Sequence, residues 1–239
     1  MEGPLYRKVQ EYLRDGIESG AWPAGAAIPS EKALAAHFSI ARMTARQAVD
    51  GLIHDGMLVR VHGRGTFVTT PRVERELTRM HGFSEDMRAQ GMAPSSRLLL
   101  RAVVPAPTEV SEALGLERRE AVIVLKRVRL ADGTPMAFEL SYLRYDLCQS
   151  ILAADLETGS LYTFLQGCAG VSFRCAAQEL RAALPTSAEA AVLEVPRRYP
   201  VLVVTQTTFV EGMASDIPAI FGRTLYRGDR YRFRLEVPR

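Results

Sequence analysis

Residues 41–68 read ARMTARQAVDGLIHDGMLVRVHGRGTFV. In the first half, Ala45, Ala48, Val49, Leu52 and Ile53 follow the i, i+3, i+4, i+7, i+8 spacing of a helix stripe that faces a core. Arg42, Met43, Arg46, Gln47 and Asp50 share another face, with Thr44 close to the N-terminal end and Gly56 placed as the stop. After Gly56 the pattern changes. Met57 to Val61 reads as a strand, residues 62–65 as a turn rich in positive charge, and Thr66 to Val68 as the returning strand. Two helices precede this stretch. Leu5, Val9, Tyr12, Leu13 and Ile17 form one stripe of a helix opened by Pro4 and closed by Gly20. Ser30 caps a shorter helix, and Glu31 suits its positive end. Three helices and a basic hairpin make the plan of a winged helix-turn-helix, with the third helix in a DNA major groove and Arg64 on the wing. Arginines one turn apart, beside Thr and Gln, are the side chains that read base edges and phosphates. The alternative is that Arg42, Arg46 and Arg64 make only a solvated face.

The chain has 239 residues, room for two modest domains with separate cores. Its net charge of +3 is too small to argue polyanion binding alone, so a basic patch must come from local arrangement. All four histidines, His37, His54, His62 and His81, lie in the first third. Ser-His-Asp and Cys-His catalysis are thereby excluded from the larger part, as are His-rich metal sites. Cys148, Cys168 and Cys175 lack CxxC spacing and are expected as buried, reduced thiols. No metal, no cofactor and no catalytic residue is expected. No apolar run approaches the length of a membrane span, and the N-terminus lacks the apolar stretch of a signal peptide, so a cytoplasmic protein is expected.

Beyond the first domain, residues 1–70, a polar stretch over 71–80 reads as a linker and residues 81–239 as a second domain. Strands are expected near 97–104, 121–130, 136–143, 173–184, 201–210 and 231–237. Helices are expected near 83–90, 108–114, 151–155, 161–166 and 187–193, with Ser84 and Ser160 as N-caps. Strands paired by hairpins with helices between them imply an α+β fold around an antiparallel sheet. In the strand 121–130, Ile123, Leu125, Arg127 and Arg129 share one face. Two guanidinium groups on a face that begins apolar need an anionic partner. That partner is either internal, Glu139 or Asp229, or a bound phosphate or carboxylate, which paired arginines clamp well. Helix starts at Ser84 and Ser160 would add N–H donors for an anion.

Four motifs in order carry a resemblance: Pro4-Leu5-Tyr6, Pro29-Ser30-Glu31, Arg42-Met43-Thr44-x-Arg46-Gln47-Ala48 and Gly63-Arg64-Gly65-Thr66-Phe67-Val68. They resemble the DNA-binding domain of the GntR family of bacterial transcription regulators. The resemblance implies that Lys32, Arg42, Thr44, Arg46 and Gln47 contact DNA, helped by the wing residues Gly63, Arg64, Gly65 and Thr66. Two positions depart from the pattern. Ala41 stands where Ser is usual, removing a cap, and Lys32 stands where Arg is common, removing a bidentate fork.

The second domain is similar to the UTRA effector-binding domain of the HutC-like branch, whose fold resembles chorismate lyase. The similarity rests on Phe83 to Asp86, Leu125 to Pro135, Gly159 to Tyr162 and Arg227 to Tyr231. In members that respond to amino-sugar phosphates, residues matching Ser84, Arg127, Arg129, Ser160 and Tyr162 hold the phosphate, and the residue matching Glu139 binds sugar hydroxyls. The resemblance thus implies a repressor, dimeric on a palindromic double-stranded DNA operator, released by a small anionic effector, a phosphorylated (amino) sugar first and another carboxylate or phosphonate anion second. Residues 212–223 depart from the family pattern at positions that line the sugar end of the pocket. Two other readings remain: a lyase-like activity using Arg127, Arg129 and Glu139, and a second domain that serves chiefly for dimerisation.

Overall fold

A computed structural model describes residues 4–61, 63–69, 73–76, 82–168, 170–213 and 215–236. The chain forms two compact units, residues 1–71 and 72–239. The architecture is α+β, as the sequence implies, with helices and a small hairpin first and a six-stranded antiparallel sheet after them.

The first unit holds α1 (Leu5–Glu18), α2 (Glu31–Phe38), α3 (Arg42–His54), β1 (Leu58–Val61) and β2 (Gly65–Val68). Val9, Leu13, Leu34, Ala45, Ala48, Val49 and Leu52 are at most 1% exposed and close one core with Ile28, Leu58 and Val68. The apolar stripe of the α3 sequence therefore packs as its period dictates. Ser30 caps α2, its hydroxyl accepting from the Ala33 N–H at 3.2 Å. Ala41 stands at the N-cap of α3 in extended conformation and offers no side-chain bond. β1 and β2 pair antiparallel from Leu58 opposite Val68 to Val61 opposite Gly65. Gly63 and Gly65 take φ of 71° and 121° in the turn, conformations that a side chain would strain.

The second unit begins with β3 (Val73–Glu76), inside the stretch expected as a linker. It pairs in parallel with β10 (Tyr231–Arg234) and buries Val73 and Arg75. The pairing is invisible locally because its partner is some 160 residues away. The rest of the expected linker, 71–72 and 77–80, lies outside the described residues. The main sheet contains β4 (Pro94–Pro105), β5 (Ala121–Ala131), β6 (Thr134–Arg144), β7 (Phe173–Ala183), β8 (Val201–Val210) and β9 (Ile217–Arg227), in the order β4-β5-β6-β9-β8-β7. On one face lie α6 (Tyr145–Cys148), a 3-10 turn (Gln149–Ala153) and α7 (Leu161–Cys168), packed on Ile123, Leu125, Leu143 and Ile220. On the other, α5 (Thr108–Leu114) covers Val122, and α8 (Ser187–Leu193) covers Val128, Val203 and Leu225.

Two further expectations fail. Strand β9 sits at the centre of the sheet, between β6 and β8, over residues for which no strand was expected. Pro218 obscured it. The proline lies at the strand's start, opposite Phe209 at a register shift and beyond the β6 pairing, where a missing N–H costs little. Cys148 is buried, and burial pushes its thiol up to about 12, but Cys175 is exposed on the edge strand β7. No helix among the described residues is long and apolar enough to cross a membrane.

Restoring the missing cap tests the account of α3. The Ala41→Ser variant is expected to stabilise the first unit by about 1 kcal/mol, read as a higher urea midpoint at unchanged m-value. No gain would mean that the α3 N–H groups are already satisfied.

Candidate functional site

On the first unit, α3 presents Arg42, Met43, Arg46, Gln47 and Asp50 to solvent, with Thr44 half-buried among them. Lys32 on α2 and Gly63, Arg64 and Gly65 on the wing are exposed as well, and Thr66 is half-buried. The Arg64 guanidinium lies 5.9 Å from the centre of the Phe67 ring. The arginines are held in a lattice of alternating charge. Glu31 accepts from Arg60 at 3.0 Å and stands 3.5 Å from Arg42. Asp50 lies 2.8 Å from Arg60 and 3.7 Å from Arg46. Arg60, on β1, escaped the sequence reading. It ties the wing to α2 and α3 through the same two carboxylates. Exposed pairs of this kind contribute at most about 1 kcal/mol each, so Arg42 and Arg46 can exchange a carboxylate for a phosphate at little cost.

In the second unit, one cavity gathers most of the expected effector residues. Its lining includes Arg127 and Arg129 of β5, Glu139 of β6, Ser160 before α7, and Tyr162 on α7. Strand alternation aims the two arginines inward, at 2% and 3% exposure. Arg127 lies opposite Glu139 in the β5–β6 register, and its Nη2 donates to the Glu139 carboxylate at 2.6 Å. Ser141 donates to the same oxygen at 3.0 Å. The Arg129 guanidinium stands 4.6 Å from the Phe83 ring centre, and its Nη2 donates to Ser84 Oγ at 2.8 Å.

Ser84 is not the cap of its helix. The helix α4 (Phe83–Ala89) starts two residues earlier than a Ser84 cap requires, with Gly82 at the N-cap, whose N–H donates to the Glu85 carboxylate at 2.6 Å. The Ser84 hydroxyl is thereby left for Arg129. Ser160 does behave as a cap, its Oγ accepting from the Thr163 N–H at 3.3 Å. Tyr162 joins a polar relay: Gln206 donates to its hydroxyl at 2.8 Å and to Thr208 Oγ1 at 2.7 Å. Burial raises the Tyr162 phenol above its ordinary value, so it remains neutral.

Of the internal partners expected for the arginine pair, the cavity holds Glu139. Glu139 serves Arg127, whereas Asp229 pairs with Arg227 at 2.7 Å and does not reach the arginine pair. Two guanidinium charges therefore face one carboxylate. Arg127 Nε and Nη1 and Arg129 Nε are buried with no hydrogen-bond partner among the described residues. Burial, reinforced by repulsion from Arg127, lowers Arg129 to about 10. Burial alone would raise Glu139, but Arg127, Arg129 and the Ser141 hydroxyl outweigh it and hold the carboxyl at about 2. Such a site has one positive charge in excess and donors already turned inward, which is what an anion needs.

Four further lining residues carried no local signal: Arg75 from β3, Gln206 and Thr208 from β8, and Tyr226 from β9. β9 also contributes Ile220, Gly222 and Thr224. A Cβ on Gly222 would stand 3.1 Å from Ser141 Oγ, so glycine there lets the strands close while leaving the cavity open. Arg223, expected near the ligand, projects from the opposite face of the sheet and lies 3.5 Å from Glu189 of α8.

The charge balance predicts a pH dependence. Glu139 titrates lower in the folded than in the unfolded state, so its contribution is complete above about pH 4.5 and is lost as pH falls toward 2. The Glu139→Gln variant should lose about 3 kcal/mol at pH 7, because it strands two buried cations. The deficit against wild type should shrink between pH 5 and pH 3 in urea titrations, and a deficit constant with pH would contradict the ion pair.

Comparison with known proteins agrees with this division of labour. Residues 5–68 match the model of the bacterial regulatory proteins of the gntR family, and residues 89–232 match the UTRA domain. The chain is 34% identical over 231 residues to the HTH-type transcriptional repressor NagR of Bacillus subtilis (strain 168), covering 96% of this chain and 93% of that protein. It is 27% identical to the mannosyl-D-glycerate transport/metabolism system repressor MngR of Escherichia coli (strain K12), over 99% and 97% of the two chains. Among solved structures it resembles PhnF from Mycobacterium smegmatis, with a TM-score of 0.71 at 28% identity over 98% and 99% of the chains. The chain belongs to the GntR family of bacterial transcription regulators, with a DNA-binding helix-turn-helix followed by a UTRA effector-binding domain, and is a regulator rather than an enzyme.

Proposed function

We propose that this protein is a cytoplasmic repressor, released from its operator when a phosphorylated amino sugar enters the UTRA cavity. The observation that carries the ligand class is the buried excess of positive charge at Arg127 and Arg129, with N–H groups aimed inward. Ser84 orients Arg129, and Glu139, which lines the cavity, orients Arg127. Ser160 and Tyr162 supply hydroxyls on the other wall. A repressor of Bacillus subtilis at 34% identity supports the direction of control.

On DNA, Lys32, Arg42, Thr44, Arg46 and Gln47 meet the major groove while Gly63, Arg64, Gly65 and Thr66 follow the adjacent backbone. A homodimer places two such units on a palindrome. An effector that binds one dimer arrangement better than the other shifts the population away from the DNA-competent state.

A ligand bearing a carboxylate or phosphonate is the second reading. It is favoured by Ile220 and Gly222 of β9, which offer a sugar no side-chain hydrogen-bonding group at those two positions of the cavity.

Fluorescence anisotropy on duplex DNA from upstream of the protein's own gene tests both halves. Release by a sugar phosphate, but not by the same sugar without its phosphate, is the expected result. Tight binding that no sugar phosphate relieves would refute the phosphate clamp. Arg46→Ala should cost about 1–3 kcal/mol of DNA affinity, and the affinity should fall steeply with salt. A flat salt response would remove the DNA contacts assigned here.

A further inference from the structure

The cavity holds a third guanidinium, from Arg75 on β3. Arg75 is 8% exposed and lines the same cavity as Arg127 and Arg129. Its Nε lies 3.3 Å from the Asp86 carboxylate, its Nη1 donates to the Tyr226 hydroxyl, and its guanidinium stands 5.4 Å from the Tyr226 ring centre. Among the described residues, three arginines stand against Asp86 and Glu139, one positive charge more than the carboxylates. Both Asp86 and Ser84 sit on α4, so one short helix grips Arg75 with one residue and Arg129 with another. Gln90 at the end of α4 then takes the backbone of Glu74 on both sides. It accepts from the Glu74 N–H at 3.2 Å and donates to the Glu74 carbonyl at 3.1 Å.

The strand that carries Arg75 is short and paired on one side. β3 and β10 span four residues each and form a sheet of their own. An isolated two-stranded pair is marginal in water. What holds this one is side-chain packing: Val73 at 1% exposure, the edge-to-face contacts of Tyr226 with Tyr231 and Phe233, and the Arg75 contacts. In the chain, only residues 69–72 separate β3 from the wing strand β2.

We propose that Arg75 is an anion-contacting residue of the effector site, and that its grip on the bound anion tightens β3 on β10. Occupancy of the cavity is thereby felt in the segment that continues directly from the DNA-binding unit. The proposal rests on the anion clamp of the preceding section and adds a residue and a strand to it. The physical link is contiguous, running from Arg129 through Ser84, α4 and Asp86 to Arg75.

Hydrogen exchange read by mass spectrometry on the full chain tests it, with inorganic phosphate as the probe and sodium chloride at equal ionic strength as the reference. In the wild type, phosphate should slow exchange in peptides covering 121–131 and in those covering 73–76. In Arg75→Gln, slowing at 121–131 should persist with about tenfold weaker apparent phosphate affinity, and slowing at 73–76 should vanish. Slowing at 121–131 without any at 73–76 in the wild type would overturn the proposal and leave the clamp standing. So would equal slowing at 73–76 in the variant. No slowing at either strand would overturn the clamp and this proposal together. If Arg75→Gln unfolds, seen as fast exchange at 121–131 without phosphate, Arg75→Lys takes its place. It keeps a charge toward Asp86 and lacks the fork, so reduced slowing at 73–76 is expected, and wild-type slowing refutes the proposal.

Discussion

Two like charges on one face of one strand are the constraint around which the second unit is arranged. Arg127 and Arg129 enter the same low-dielectric space because strand side chains alternate, and a guanidinium cannot neutralise itself at physiological pH. Everything near them answers that cost. The register of β5 on β6 brings Glu139 opposite Arg127. Ser141 steadies the carboxylate, Phe83 offers its ring to Arg129, and Ser84 accepts from it. These contacts offset part of the cost and leave part of it. The remainder is the uncompensated positive charge that the proposed anion would neutralise.

The first unit solves the opposite problem. Its arginines must remain available, so they are exposed and paired only with carboxylates that are themselves partly in water. Glu31 and Asp50 join Arg42, Arg46 and Arg60 in one network without binding them strongly. Screening makes each pair weak, and a phosphate backbone offers a denser array of the same charge. Two clusters of arginine in one chain thus stand in opposite environments, one buried against the sheet and the other exposed.

A regulator with two sites needs them to share a two-state element. In the coupling proposed above, that role falls to the short ribbon of β3 and β10, whose strands pair over four residues and whose Arg75 lines the cavity. The helix α4 links both ends of that arrangement through Ser84, Asp86 and Gln90.

The sequence by itself determined the elements whose signals are local. The helices of the first unit, the Arg127 and Arg129 face, the Ser160 cap and the hairpin 121–143 all follow from spacings within about fifteen residues, as do most strands of the sheet. Even the pairing of Arg127 with Glu139 was open to reading, because a tight turn joins their strands. What only the tertiary structure decided has long-range causes. β3 exists because β10 lies beside it, and β9 occupies the centre of the sheet because β6 and β8 leave it a place despite Pro218. Ser84 falls inside α4 rather than at its N-cap, and its hydroxyl accepts from Arg129 of β5, whereas Arg223 is excluded from the cavity by the parity of its strand. Arg75, Gln206, Thr208 and Tyr226 meet in one cavity although their elements are far apart in the chain. Sequence periodicity reports which face a residue takes. It cannot report which distant strand will stand opposite that face, and the charge balance of a buried site depends on that.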